Sequence, residues 1–220
     1  MFDGSSLTLD ENLAVAARLL TECAEADVIL EVEIGAVGGE EDDIRGDESN
    51  GRLYSTPEEG LAVVEALGSG ERGRYLLSAT FGNVHGHYQP GKVALRPSIL
   101  GEIQRAVTAR HGKQAAFDFV FHGGSGSTPH DIAAAVSYGV VKMNLDTDAQ
   151  YAYTRAVAEH MFVNYAGVVR ADCGIGDKRA YDPRTWSRSA EQAMAARVVE
   201  ACHQLGSAGR SLTGHDGKLH

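Results

Sequence analysis

The sequence predicts an α/β fold in which parallel β-strands alternate with α-helices. Three observations predict it. Four short apolar runs, rich in β-branched and aromatic residues, end at or near glycine. Segments with helical spacing and N-terminal capping residues lie between these runs. A polar residue stands beside glycine near the end of most of these runs, and strands joined by helices bring such ends to one edge of a sheet.

The four predicted strands are residues 28–34, 74–80, 117–121 and 140–145. Four strands are half the number that a closed (β/α)₈ barrel contains, and in such a barrel the carboxyl ends of the strands carry the chemistry. The sequence therefore directs attention to the polar residues at or just beyond those ends, which are Glu33, His85, His122 and Asn144.

Each predicted helix has its own start signal. Asp10 is expected to cap a first helix over residues 11–26, and Thr56 followed by Pro57 opens the second. Lys142, inside the fourth predicted strand, is assigned only an ordinary strand role. The remaining helices are predicted over residues 99–109, 132–138, 148–165 and 189–205, the last of them after a loop at 181–184.

The composition excludes several classes of protein. The chain has 220 residues, of which 43% are hydrophobic and 23% charged, so disorder, collagen and coiled coil are not expected. The net charge of −10 argues against a nucleic-acid partner. No apolar run approaches about 18 residues, so no membrane span or membrane partner is predicted. Three cysteines without CxxC spacing indicate free thiols and a cytoplasmic protein.

His85 and His122 are the strongest candidate metal ligands. Each follows an apolar strand and precedes glycine, so both imidazoles are expected at the carboxyl edge of the same sheet. Two neutral imidazoles with a further ligand suit zinc or a similar divalent metal. The alternative is that these histidines only bond backbone, but their equivalent positions favour the metal. His87 is less favoured because it lies beyond the glycine, closer to the turn at Pro90.

A glycine-rich loop, residues 122–129, joins a predicted strand to a predicted helix. Its backbone N–H groups and the helix N-terminus make a natural phosphate site. Asn144, Asp146 and Thr147 end the next strand and could bond substrate hydroxyls or phosphate. Capping of the following helix is the alternative role for Asp146 and Thr147.

Carboxylates and one arginine complete the candidates. The run Gly-Gly-Glu-Glu at 38–41 offers a hinge followed by a possible general base, although a solvated acidic loop is the usual alternative. Glu33 lies inside an apolar strand, where a buried carboxylate needs a partner. Arg184 could hold a phosphate bidentately or form a surface ion pair.

Five stretches occur in an order that resembles one enzyme family: LEVEIGAVGGEED, FGNVHGHYQPG, FVFHGGSGST, SYGVVKMNLDTDAQ and YDPRTW. Together they resemble class II, metal-dependent fructose-bisphosphate aldolase across nearly the whole chain. The acidic loop after GGEED and the DPRTW segment resemble the dimeric fructose-bisphosphate branch. The tagatose-bisphosphate branch usually lacks them.

The resemblance implies a role for each matching position. His85 and His122 resemble two of three catalytic Zn²⁺ ligands, and Glu41 resembles the base that takes a proton from dihydroxyacetone phosphate. Glu33 and Glu40 resemble acidic residues near a secondary metal position. The implied substrate- and phosphate-binding residues are Gly86, Gly123, Ser125, Asn144, Asp146, Thr147 and Arg184. The implied site for Na⁺ or K⁺ uses the carbonyls of Val84, Gly86, Gly123 and Ser125.

The resemblance also implies a fold and an activity. The fold is a TIM (β/α)₈ barrel, of which residues 1–220 would form the C-terminal half (strands 5–8) as one domain, with residues 166–220 as its C-terminal extension. Residues 1–5 resemble the end of the fourth barrel strand. The family's third zinc histidine and its catalytic aspartate precede that point, and no matching motif occurs in this sequence.

The expected function is reversible zinc-dependent cleavage of fructose 1,6-bisphosphate in glycolysis. The products would be dihydroxyacetone phosphate and glyceraldehyde 3-phosphate, and the enzyme is expected to be a homodimer. Two alternatives remain open at this point. One is a tagatose-bisphosphate aldolase, and the other is a catalytically inactive half-barrel.

Overall fold

The computed structural model describes residues 1–35, 38–39, 53–85, 94–170 and 174–210. The alternation of strands and helices that the sequence predicts is confirmed. The strands are β1 (Phe2–Asp3), β2 (Leu30–Ile34), β3 (Gly38–Gly39), β4 (Tyr75–Ala79), β5 (Val84–His85), β6 (Phe119–Phe121) and β7 (Val140–Met143). The helices are α1 (Leu9–Glu25), α2 (Pro57–Leu67), α3 (Ser98–His111), α4 (Pro129–Ser137), α5 (Thr147–Val163), α6 (Tyr165–Val168), α7 (Lys178–Tyr181) and α8 (Pro183–Gln204).

The main sheet is parallel and has the strand order β1-β2-β4-β6-β7. Its last four strands are the four that the sequence predicts. The first of these begins at Leu30 and not at Val28, because Val28 and Ile29 are about half exposed and lie before the sheet. β3 and β5 pair with each other in a separate parallel ribbon. Two-residue strands have no readable periodicity, which explains why the apolar pattern does not predict β1 or β3.

Aromatic side chains fill the core beneath the carboxyl ends of β4 and β6. Phe81, Phe119 and Phe121 are fully buried. The rings of Phe81 and Phe121 lie 4.7 Å apart, centroid to centroid, in a tilted arrangement. Aromatic pairs at this separation are favourable beyond the area that they bury. The core thus fixes the two chain segments that lead to His85 and His122.

The start of α1 differs from the sequence prediction. Thr8, and not Asp10, is the N-cap residue: its hydroxyl accepts from the Glu11 N–H, and the Glu11 carboxylate accepts from the Thr8 N–H. This reciprocal capping box satisfies two backbone donors, whereas a cap at Asp10 would satisfy one. The same arrangement of Thr56 and Glu59 opens α2, as the sequence predicts for Thr56.

The start of α8 is the largest correction to the predicted elements. The helix begins at Pro183, six residues before the predicted position. Asp182 caps it by accepting from the Arg184 N–H at 3.0 Å, and Pro183 occupies the first turn, where its missing N–H leaves no helix bond unmade. Arg184 therefore lies in the first turn of a helix and not in a loop.

The chain divides into two compact units. The first, Met1–Leu145, contains the sheets and α1 to α4. The second begins at Asp146 and contains α5 to α8. Within the second unit, α5 packs against α8, and Arg197 donates to Asp148 at 2.8 Å. Among the described residues, no helix is both long and apolar enough to cross a membrane.

Candidate functional site

Two buried carboxylates lie on one face of β2. Glu31 and Glu33 are 7% and 3% exposed, and they flank the fully buried Val32. Successive side chains of a strand point to opposite faces, so Glu31 and Glu33 share a face. Two buried carboxylates this close together need a compensating positive charge. The sequence singles out Glu33 but not Glu31, although the acid–apolar–acid alternation applies equally to both.

His122 supplies that charge. It follows β6 directly and is 1% exposed. Its Nδ1 lies 2.8 Å from Glu33 Oε2, and its Nε2 lies 2.8 Å from Glu31 Oε1. Ionised carboxylates only accept hydrogen bonds, and the same contacts raise the pKa of His122, which favours an imidazolium that donates from both nitrogens. The predicted metal-ligand histidine is thus clamped between two carboxylates.

Lys142 joins this cluster from β7. Its Nζ donates to Glu31 Oε2 at 2.6 Å, while its side chain stays about half exposed. Glu31 therefore has a cationic partner on each carboxylate oxygen. Lys142 lies in a strand as the sequence predicts, and the structure adds that its ammonium group binds Glu31. Glu31 and Lys142 are the site residues that sequence reasoning missed.

The pKa shifts agree with this charge pattern. Burial lowers the pKa of His122, but hydrogen bonds to Glu33 and Glu31 outweigh burial and raise it above its ordinary value. Burial raises the pKa of Glu31, but hydrogen bonds from Lys142 and His122 outweigh burial and bring the net pKa below the ordinary value. Both shifts favour the charged forms of the two side chains.

Asn83 fixes the backbone behind His122. It is fully buried, its Nδ2 donates to the His122 carbonyl at 2.9 Å, and its Oδ1 accepts from the Phe81 N–H at 2.9 Å. Asn83 also stands two residues before His85. One side chain therefore connects the segments that carry the two candidate ligand histidines.

Asn83→Ala is expected to lower the free energy of unfolding by about 1–3 kcal/mol, because it removes both buried hydrogen bonds. Urea denaturation measures the change. Asn144→Ala is the matched control, since Asn144 is exposed and its loss should cost less than about 0.5 kcal/mol. Equal unfolding midpoints for the two variants would contradict the role of Asn83.

The glycine-rich loop follows His122 and lies against the end of β7. The Gly124 N–H donates to the Asn144 carbonyl at 3.1 Å, and a Cβ on Gly124 would come within 2.7 Å of Met143 side-chain atoms. Gly123 has φ of +63°, a conformation that glycine adopts readily. Ser125 is buried. Asn144 is exposed at the same strand end, so the first unit brings the predicted loop and Asn144 together.

Three predicted phosphate or substrate residues lie in the second unit. Asp146 precedes α5 but does not cap it; both of its carboxylate oxygens accept from Gln150 Nε2 at 2.9 Å. Thr147 is the first residue of α5. Arg184 donates to the Asp182 carboxylate from Nη2 at 2.6 Å and from Nε at 3.0 Å. These hydrogen bonds lower the pKa of Asp182 to about 2. The Arg184 side chain remains 84% exposed.

Several predicted residues are placed only by backbone or not at all. His85 pairs with Gly39 in the ribbon of β3 and β5, and no more is described of it. This pairing sets the Gly-Gly hinge directly beside the His85 backbone. Glu40, Glu41 and Gly86 lie outside the described residues.

The donor types fit a divalent metal such as zinc. Imidazole nitrogen and carboxylate oxygen, present here in His122 and Glu33, are ordinary zinc ligands. In the described ranges no group of three or more His, Cys, Asp or Glu side chains is arranged around one point to hold an ion. His122 and Glu33 could therefore supply two ligands of a metal site.

Comparison with known proteins agrees with the resemblance seen in the sequence. The family model described as fructose-bisphosphate aldolase class-II matches residues 1–210. The chain belongs to this family. Its members include a fructose-bisphosphate aldolase of Streptomyces galbus, 57% identical over 96% of this chain, and one of Mycobacterium leprae, 55% identical over 96%. The family is in general metal-dependent.

The chain spans 62% of the length of these two relatives. The crystal structure of the fructose-bisphosphate aldolase from Campylobacter jejuni is similar in fold, with a TM-score of 0.74 and 38% identity. That match covers 93% of this chain and 59% of the Campylobacter chain. The parallel sheet and this likeness confirm the predicted partial barrel of TIM type.

Proposed function

We propose that this chain carries part of the active site of a class II fructose-bisphosphate aldolase. The reaction is reversible cleavage of fructose 1,6-bisphosphate to dihydroxyacetone phosphate and glyceraldehyde 3-phosphate, as in glycolysis. The observation that carries the proposal is the buried histidine between two carboxylates, at the carboxyl edge of a parallel sheet, in a chain of this family. In barrel enzymes, this edge is where catalytic residues lie.

His85 and His122 would hold Zn²⁺, with Glu33 and Glu40 near a secondary metal position. When bound, the ion supplies a Lewis acid that polarises the substrate carbonyl. His122 suits this role because its ring cannot rotate without breaking hydrogen bonds on both nitrogens. A Na⁺ or K⁺ ion is proposed on the carbonyls of Val84, Gly86, Gly123 and Ser125.

Glu41 is the proposed general base. Its carboxylate takes the proton from the carbon next to the ketone of dihydroxyacetone phosphate in the direction of synthesis. In the direction of cleavage, the same carboxyl group returns that proton after the carbon–carbon bond breaks. The pairing of Gly39 with His85 supports this role, because it brings the segment that leads to Glu41 beside a proposed ligand.

The substrate phosphates and hydroxyls are assigned to three groups of residues. One is the loop with Gly123 and Ser125, whose amides and adjoining α4 N-terminus suit an anion. Asn144, Asp146 and Thr147 are proposed to bond hydroxyls or phosphate at the following strand end. Arg184 is the proposed ligand of the far phosphate, because its guanidinium is exposed and keeps donors that Asp182 does not use.

Arg184→Ala is expected to raise the KM for fructose 1,6-bisphosphate by about 10- to 100-fold, the effect of losing charge-assisted hydrogen bonds. Steady-state kinetics measures it. Arg179→Ala is the matched control. Arg179 is also exposed, and its Nε lies 3.7 Å from Oδ1 of its acidic partner, Asp177. An unchanged KM in Arg184→Ala would remove Arg184 from phosphate binding.

A coupled cleavage assay with added zinc tests the proposed activity directly. Zinc-dependent cleavage of fructose 1,6-bisphosphate supports it, and no cleavage would favour the inactive half-barrel. A higher kcat/KM for tagatose 1,6-bisphosphate would replace the substrate assignment.

A cytoplasmic homodimer is proposed as well. In the second unit, Tyr151 and Phe162 of α5 are largely exposed apolar residues that suit an interface.

A further inference from the structure

Glu31 and Glu33 do not hold His122 equally. Both carboxylates bond the imidazole at 2.8 Å, but only Glu31 has a second cationic partner, the Lys142 ammonium at 2.6 Å. Within the described ranges, the carboxylate of Glu33 has no partner other than His122. Glu31 is therefore fixed from two sides, whereas Glu33 is held by the ring alone.

The positions along β2 sharpen this asymmetry. Glu33 lies two residues closer to the carboxyl end of β2 than Glu31, which is about 6–7 Å along a strand. Catalytic groups of such sheets gather beyond the carboxyl ends. Glu33 and the His122 Nδ1 that it bonds thus face the proposed site, and Glu31 and Nε2 lie farther from the carboxyl end of β2.

We propose that Glu31 and Lys142 are positioning residues for His122, which keep Nε2–H donated to Glu31 and present Nδ1 as the metal-binding nitrogen. This inference rests on the proposed function, because it needs His122 to be a metal ligand. A metal-bound histidine commonly donates its other N–H to a carboxylate, which fixes the ring and its tautomer. Here a lysine on β7 in turn fixes that carboxylate, from a strand separated from β2 by β4 and β6.

Lys142 has two functions in this arrangement. It bonds the Glu31 oxygen that His122 does not use, so the carboxylate cannot rotate away from Nε2. Its positive charge also offsets the negative charge of Glu31. Glu33 is then the carboxylate that can turn from the ring to the ion. Metal binding at Nδ1 would release the Nδ1 proton, break the hydrogen bond to Glu33 and leave the hydrogen bond to Glu31 intact.

The test is zinc affinity of the full chain, measured by chelator competition. Lys142→Met and Glu31→Gln are each expected to weaken zinc binding by about 10- to 100-fold. Loss of a hydrogen-bond partner of a metal ligand has this effect in other metal sites. Lys142→Arg, which keeps the charge and donors, should restore most of the affinity. Lys113→Met is the matched control: Lys113 lies in a short turn after α3 and away from the cluster.

The outcomes distinguish the proposed metal site from the proposed positioning role of Glu31 and Lys142. No zinc binding by the unaltered chain would overturn the metal assignment and with it this inference. Zinc binding that is equal in the unaltered chain and in Lys142→Met would overturn the inference alone. Since both variants could fail to fold, ¹⁵N-histidine NMR of the zinc-loaded, unaltered chain gives a second readout. A proton on His122 Nε2 and metal on Nδ1 is expected, and the reverse assignment would refute the proposal.

Discussion

His122→Ala is expected to abolish zinc binding and to lower the free energy of unfolding of the metal-free chain by about 3–5 kcal/mol. Two effects have one cause. The substitution removes the proposed ligand and also the cation that Glu31 and Glu33 share at 2.8 Å. Glu31 keeps Lys142, but Glu33 is left as a buried charge without its partner. Metal content after dialysis and urea denaturation measure the two effects separately.

His130→Ala is the matched control for His122→Ala. His130 is the same residue type in the first turn of α4, but it is exposed. Its removal should change the unfolding free energy by less than about 0.5 kcal/mol and leave zinc bound. His122→Gln tests the ligand role if the alanine variant is too unstable, because an amide can still donate to one carboxylate. Stoichiometric zinc in either His122 variant would refute the ligand assignment.

The sequence predicts the local features of this fold well. The capping signal at Thr56–Pro57 is read correctly, and so are the four strands with polar residues at or near their ends. Asp182–Pro183 is the same kind of signal, but the residues after it lack helical apolar spacing. The prediction therefore began α8 too late. Apolar periodicity alone cannot reveal a helix start whose first turns are polar and exposed.

The charge cluster could not be predicted from local pattern. Lys142 and Glu31 are 111 residues apart in the chain, and their pairing depends on the order in which four strands join the sheet. A lysine in a strand has no signal that distinguishes an outward side chain from one that reaches a buried carboxylate. His122 could be found because glycine and an apolar strand mark it, whereas its partners required the three-dimensional arrangement.

Glu41→Ala is expected to slow solvent exchange of the dihydroxyacetone phosphate proton by about 10²- to 10⁴-fold, the usual contribution of a general base. Zinc should remain bound, because Glu41 is not a proposed ligand. Proton NMR in deuterated solvent follows the exchange without the second substrate, so carbon–carbon bond formation does not enter the measurement. Asp43→Asn is the control, since it removes a charge from the same acidic run.

Comparison of His122→Ala with Glu41→Ala distinguishes a general base from a metal ligand. His122→Ala should lose zinc and proton exchange together, because the substrate proton is not acidic enough without the polarised ketone. Glu41→Ala should lose only exchange, because the ketone stays polarised while the proton acceptor is gone. Exchange at the unaltered rate in Glu41→Ala would assign the base elsewhere. Loss of zinc in that variant would instead make Glu41 a contributor to the metal site, alongside its neighbour Glu40.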